Sequence, residues 1–217
     1  MKHGTDSEIH QIATMCSIIM PFFFPKLVFY EEGSYITNNV LVSPDGSLRL
    51  TENENVKSFA FEGKAPTGNT FKPALHNVVP ERYIAQTLFE QKALDATDGT
   101  LYMSWTSTSC TLFKVLSNEE VINTILRELT EIYFCDILKR PTRSSAAAKQ
   151  IKQYMQEISR TGCVFLGEFP TVQGKLDHDE TTNGTSAHID PIPSDDYRDK
   201  LTYDEVHRQI LQGKTQS

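Results

Sequence analysis

Cysteine is scarce and scattered in this chain: Cys16, Cys110, Cys135 and Cys163 are its four thiols in 217 residues, and no two form a C-x-x-C pair. That spacing disfavours a zinc or iron–sulfur centre and suits buried, reduced cysteines. Long apolar runs are lacking as well. The most apolar stretch, 18–29, is too short to span a bilayer and is broken by Pro21 and Pro25. No basic-then-apolar leader with a cleavage site precedes it, so the expected location is intracellular, nuclear or cytoplasmic, with no secretion and no membrane partner. The Asn183-Gly184-Thr185 glycosylation acceptor then has no role. There is no internal repeat. Positive charge is in deficit, with 21 Lys and Arg against 28 Asp and Glu and a formal net charge of −7. Such a sum argues against a polyanion partner unless the charge is unevenly placed.

It is unevenly placed. From 139 to 175 seven basic residues, Lys139, Arg140, Arg143, Lys149, Lys152, Arg160 and Lys175, face two acids, Glu157 and Glu168. Within this stretch Arg140, Arg143, Lys149 and Lys152 are the candidate DNA-backbone contacts. The competing reading is the solvated basic face of an ordinary helix over 144–159. From 177 onward nine acids face four bases, the composition of a flexible acidic tail with one short helix over 203–211. The expected division is a domain over 1–176, with a core at 4–138 and a basic helical extension at 139–176, followed by the tail at 177–217.

Apolar residues make up 39% of the chain, enough for a sizeable core. The patterns run helix, several strands, helix, two strands and further helices, which indicates an α/β fold. Ile9, Ile12, Ala13, Cys16, Ile19 and Met20 recur at helical spacing and place Glu8 at the border of the stripe, with His10 as a surface histidine. Pro80 fits the first turn of a second helix, on which Tyr83, Gln86 and Glu90 share one face and Ile84 and Leu88 another. Tyr102 and Trp105 lie in an alternating strand and fit core packing better than base stacking.

The functional signal is a spaced set of two acids and a base. Asp45 ends the apolar run Val40-Leu41-Val42, and 56–61 forms a second run after a polar turn at 52–55, so neighbouring strands would bring Asp45 and Glu62 together. Alternation puts Glu62 and Lys64 on one side of the second strand and Phe61 with Gly63 on the other. One carboxylate from each strand, with the main-chain carbonyl of Gly63, makes an oxygen-only site suited to Mg2+ or Mn2+. Such an ion polarises a phosphate and lowers the pKa of an attacking water, while the Lys64 ammonium stabilises developing charge. The acid-x-Lys portion alone is common and recurs at Glu90-Gln91-Lys92, and Asp45-Gly46 also fits a plain turn.

Context adds to the pattern. Gly4-Thr5-Asp6-Ser7-Glu8, Ser43-Pro44-Asp45-Gly46, Glu62-Gly63-Lys64-Ala65-Pro66, Tyr83-Ile84-Ala85-Gln86 and Leu101-Tyr102-Met103-Ser104-Trp105-Thr106 occur in that order. Together they resemble the YqaJ-like (phage-exonuclease-type) branch of the PD-(D/E)XK nucleases, over 4–115. The resemblance implies a restriction-endonuclease-like core, a central mixed sheet flanked by helices. It further implies a metal-dependent deoxyribonuclease that hydrolyses phosphodiester bonds as an exonuclease on linear duplex ends, with Mg2+ or Mn2+ as cofactor. A second copy of the chain or a recombination protein is the implied partner. Asp45, Glu62 and Gly63 would hold the metal, Glu8 would complete the shell from the first helix, and Lys64 with Gln86 would hold water and phosphate. From the residues alone, Glu8 reads instead as a solvated first-turn acid and Gln86 as a solvent-facing side chain.

Two departures from the family pattern stand out. Gly63 replaces a bulky aliphatic residue and packs nothing behind it. Family members also have helices ahead of the Gly-x-x-x-Glu element that give Arg and Ser groups to a pocket for a DNA 5′ end, and three residues precede Gly4 here. The alternative reading is a non-catalytic nucleic-acid-binding or adaptor protein that keeps the nuclease fold.

Overall fold

The computed structural model describes residues 2–37, 40–50, 53–66, 74–134 and 145–172. A helix at Lys2–Thr14 (α1) runs through a π-helical stretch at Met15–Ile19 into a last turn at Met20–Phe23 (α2). Pro21 is accommodated there because it lies in the first turn of that final segment. Strands follow at Leu27–Tyr30 (β1), Tyr35–Thr37 (β2), Val40–Val42 (β3), Gly46–Leu50 (β4) and Asn53–Lys64 (β5). After them come α3 (Glu81–Leu94), β6 (Thr100–Trp105), β7 (Ser109–Val115), α4 (Glu119–Phe134), α5 (Ala146–Thr161) and β8 (Cys163–Pro170).

Six strands form one sheet in the order β1-β4-β5-β6-β7-β8, while β2 and β3 pair separately. The pair β5–β6 is parallel and its neighbours are antiparallel, so the sheet is mixed. A parallel pair needs a crossover, which α3 supplies. The return from α3 is set by Asp95, which ends the helix in the left-handed region at φ 53, and by Gly99 at φ 109. A Cβ on Gly99 would lie 2.3 Å from the Val115 carbonyl oxygen, so only glycine fits that approach.

Alternation along the strands divides the core in two. Phe59, Phe61, Leu101, Met103, Trp105 and Leu112 pack with Met15, Ile19 and Met20 of the first helical run. On the other face Tyr102, Phe113 and Val115 pack with Ile84 and Leu88 of α3, Val121, Ile122 and Ile125 of α4, and Met155 and Ile158 of α5. Leu88 and Leu101 are fully buried, so truncating either to Ala costs about 2–5 kcal/mol. The polar ends of the two large aromatics are satisfied inside: Trp105 Nε1 donates to Thr14 Oγ1 at 3.1 Å, and Tyr102 Oη bonds His76 Nδ1 at 2.8 Å. Both are core residues, as alternation indicated.

Several expectations are corrected. The buried face of α1 is Ser7, Gln11 and Thr14, continuing into Met15 and Ile18, so it is more polar than the apolar stripe suggested. His10 is half-buried with its ring stacked on Trp105, and is no surface histidine. The run Val40-Leu41-Val42 does not neighbour the 56–61 strand; it pairs with β2, with Leu41 opposite Ile36. The strand that pairs with β5 begins at Gly46, so Asp45 opens it instead of closing the previous one. Of the 139–176 segment, α5 matches the expected helix and is capped by Ser145, which accepts from the Ala148 N–H at 3.2 Å. β8 adds an edge strand beside β7 that no periodicity had signalled. The expected tail at 177–217, with Cys135, lies outside the described residues.

Among the described residues no helix is long and apolar enough to cross a membrane. Cys16, Cys110 and Cys163 are free, and burial pushes their thiols up to about 11, 12 and 12. Such thiols stay protonated and weakly reactive.

Candidate active site

Antiparallel pairing of β4 with β5 fixes the first contact. Gly46 faces Phe61, so Asp45, one residue earlier, reaches the backbone beyond Glu62. The Gly63 N–H donates to Asp45 Oδ2 at 2.8 Å. Asp45 is held above the ordinary carboxylate range by burial, against the opposing pull of that N–H and of the Lys64 ammonium.

Alternation along β5 then turns Glu62 and Lys64 toward α3. Lys64 Nζ pairs with Glu62 Oε1, whose side chain is completely buried. From α3, Gln86 Nε2 donates to the same Glu62 Oε1 at 2.7 Å and to Glu90 Oε1 at 2.9 Å. Glu90 is also fully buried, and burial, followed by the nearby Asp45 carboxylate, raises its pKa well above the usual range. Tyr83, three residues before Gln86, places its ring 5.5 Å from Lys64 Nζ and 4.7 Å from the Arg82 guanidinium. Gln86 is therefore no plain solvent-facing side chain.

Glu8 is half-buried on α1. Its pKa is raised first by burial, then by the Asp45 and Glu31 carboxylates, and lowered by Lys64. Glu32, close in sequence to Glu31, is a structural acid by contrast: it accepts from Arg49 Nη2 at 2.7 Å, from Ser47 Oγ and from Tyr35 Oη.

Gly63 has a structural reason that its sequence context did not reveal. A Cβ there would lie 1.8 Å from Gln11 Oε1, so the buried Gln11 of α1 occupies the space an aliphatic side chain would take. The position is packed from the other side, contrary to expectation.

The donor chemistry fits a hard divalent ion. Asp45 meets the Gly63 N–H and Glu62 pairs with Lys64, and the buried Oε2 of Glu62 has no hydrogen-bond partner among the described residues. Unpaired buried carboxylate oxygens are costly, and a cation relieves them. With Lys64 on Glu62 and the Gly63 N–H on Asp45, no three acidic, His or Cys side chains among the described residues converge on a ready-made metal cluster.

Sequence reasoning missed Glu90 as a member of the site. Its signal was present in its place four residues after Gln86 on one helical face. Lys149 and Lys152 are exposed on α5, whereas Arg140 and Arg143 lie outside the described residues. Comparison with protein-family models, with curated proteins and with solved structures gives no match.

Proposed function

We propose that this chain is a metal-dependent deoxyribonuclease with a restriction-endonuclease-like PD-(D/E)XK core of the YqaJ-like kind, acting as an exonuclease on linear duplex DNA. The observation that carries the reading is the joint placement of Asp45, Glu62, Lys64 and Gln86: an acid from each of two paired strands, with the base and the amide both on Glu62. A structural salt bridge would need neither the second acid nor the helix amide.

Asp45 and Glu62 would hold Mg2+ or Mn2+, with the Gly63 carbonyl and Glu8 completing the oxygen shell. When bound, the ion supplies Lewis-acid polarisation of the phosphate and acidification of a water. Lys64 would place its ammonium where negative charge develops on the phosphate. Gln86 would hold water or phosphate, and the setting of the buried Glu62 and half-buried Asp45 strengthens each of these interactions by excluding solvent. The exposed Lys149 and Lys152, with Arg140 and Arg143, would contact the DNA backbone.

The test is incubation of the protein with labelled linear duplex and with covalently closed circular DNA, each with Mg2+ and with chelator. Progressive loss of linear DNA only with Mg2+, and sparing of circles, is the expected result. Rapid nicking of circles would make the enzyme an endonuclease, and no cleavage in any arm would remove the nuclease reading.

A further inference from the structure

Gln86 and Glu90 lie one turn apart on α3, and the geometry around them constrains the Gln86 amide. Its nitrogen donates at 2.7 Å to Glu62 Oε1 and at 2.9 Å to Glu90 Oε1. A carboxamide has two N–H donors on nitrogen and only acceptor sites on oxygen. Glu62, paired with Lys64, is a carboxylate that can only accept, so the nitrogen and not the oxygen must face it. The second N–H goes to Glu90, which leaves Gln86 Oε1, an acceptor, as the group this half-buried side chain still has to offer.

Glu62 alone would hold one N–H and leave the other to point into the site. Glu90 takes up that second donor from a fully buried position, with its own Oε2 unpartnered among the described residues. Burying a carboxyl group that makes one hydrogen bond among the described residues is unfavourable in itself, which points to a role beyond packing. We infer that Glu90 is a positioning residue that fixes the Gln86 amide with its carbonyl oxygen outward, so that Gln86 accepts a hydrogen bond from the attacking water and offers no donor to the phosphate. A water can give one proton to this oxygen and keep a lone pair for phosphorus. An ionised phosphate oxygen has no proton to give and is repelled by it. The inference rests on the nuclease reading for its water and phosphate, but the amide orientation stands on the hydrogen bonds alone.

Two measurements separate these parts. In metal-free protein carrying 15N-glutamine, the Gln86 side-chain protons are identified by their loss in Gln86→Met. They should exchange slowly with solvent in the wild type and in Glu90→Gln, which keeps an acceptor, and at least about tenfold faster in Glu90→Met, where a buried hydrogen bond is removed. With Mg2+ and an end-labelled linear duplex, Glu90→Met should lower kcat about tenfold, equivalent to about 1.4 kcal/mol, with KM changed by less than about twofold and Glu90→Gln restoring the rate. Exchange in the wild type as fast as that of surface glutamines overturns the orientation, and does so even if Glu90→Met fails to fold. Loss of kcat in Glu90→Gln as large as in Glu90→Met, or a rise in KM alone, overturns the positioning role. Absence of cleavage by the wild type removes the nuclease reading, while the exchange measurement still decides how the amide is held.

Discussion

Gln11 of the first helix and Gly63 of the central strand are a fitted pair: the glutamine carbonyl occupies the volume that any side chain at 63 would need, with only 1.8 Å between Gln11 Oε1 and an added Cβ. Gly63→Ala is therefore expected to destabilise by about 1–3 kcal/mol, the range for overfilling a packed interior. Adding Gln11→Ala should recover part of that loss. Urea unfolding of the two single variants and the double variant checks it: a double variant no more stable than the sum of the singles would mean that the two side chains do not compete for space.

Lys64 has two separable roles. It neutralises the fully buried Glu62 and, in the proposed chemistry, meets charge developing on phosphate. Lys64→Met should cost about 1.5–3 kcal/mol, the scale of a hydrogen bond to a charged group, and lower turnover by about a hundredfold or more. Glu62→Gln added to it should restore stability without activity. If the double variant is as unstable as Lys64→Met, the cost does not come from a buried charge left unpaired.

The pH dependence of the metal-free protein follows from Glu8, Asp45 and Glu90, whose carboxyl pKa values are all raised, each chiefly by burial. Folded groups with raised pKa values bind more protons than the unfolded chain, so their stabilising contribution is full below the ordinary carboxylate range and falls away as pH rises through the raised values. Thermal melts of metal-free protein should therefore show stability declining from about pH 5 toward about pH 8. Glu90→Gln should flatten the decline. An identical slope in that variant would mean that Glu90 is ionised throughout.

Much of this was legible in the sequence, and the exceptions share causes. The Asp45, Glu62 and Lys64 grouping followed from two strands and alternation, and the α/β class followed from element order, whereas the central mixed sheet was expected only from the family resemblance. The strand carrying Asp45 was misassigned because Val40-Leu41-Val42 is apolar yet partly exposed, with Leu41 facing outward in a separate hairpin. The buried face of α1 was obscured because the side chains that meet the sheet there, Ser7, Gln11 and Thr14, are polar. Gln11 could not be connected to Gly63 without knowing that the helix lies over that strand. β8 was missed because its burial does not alternate: Leu166 and Gly167 are buried in succession at the bulge opposite Leu112 and Phe113, which breaks the period of two.

DNA binding through the basic stretch predicts a salt effect. Neutralising Lys149 and Lys152, both exposed on α5, together with Arg140 and Arg143 should weaken duplex binding and reduce the slope of log affinity against log salt by about 0.9 for each phosphate no longer neutralised. Binding titrations at several salt concentrations measure this. An unchanged slope would place the DNA path on another surface.

The most direct test of the central claim is single-turnover cleavage of an end-labelled linear duplex by the wild type, Asp45→Asn and Glu62→Gln in Mg2+. Both replacements keep an oxygen to accept from the Gly63 N–H or the Gln86 amide, so the fold should survive while the charge that would hold a cation is removed. The expected result is Mg2+-dependent cleavage by the wild type and a drop on the order of a hundredfold or more in each variant at unchanged melting temperature. Cleavage by either variant at the wild-type rate, or wild-type cleavage that persists in chelator, would contradict it.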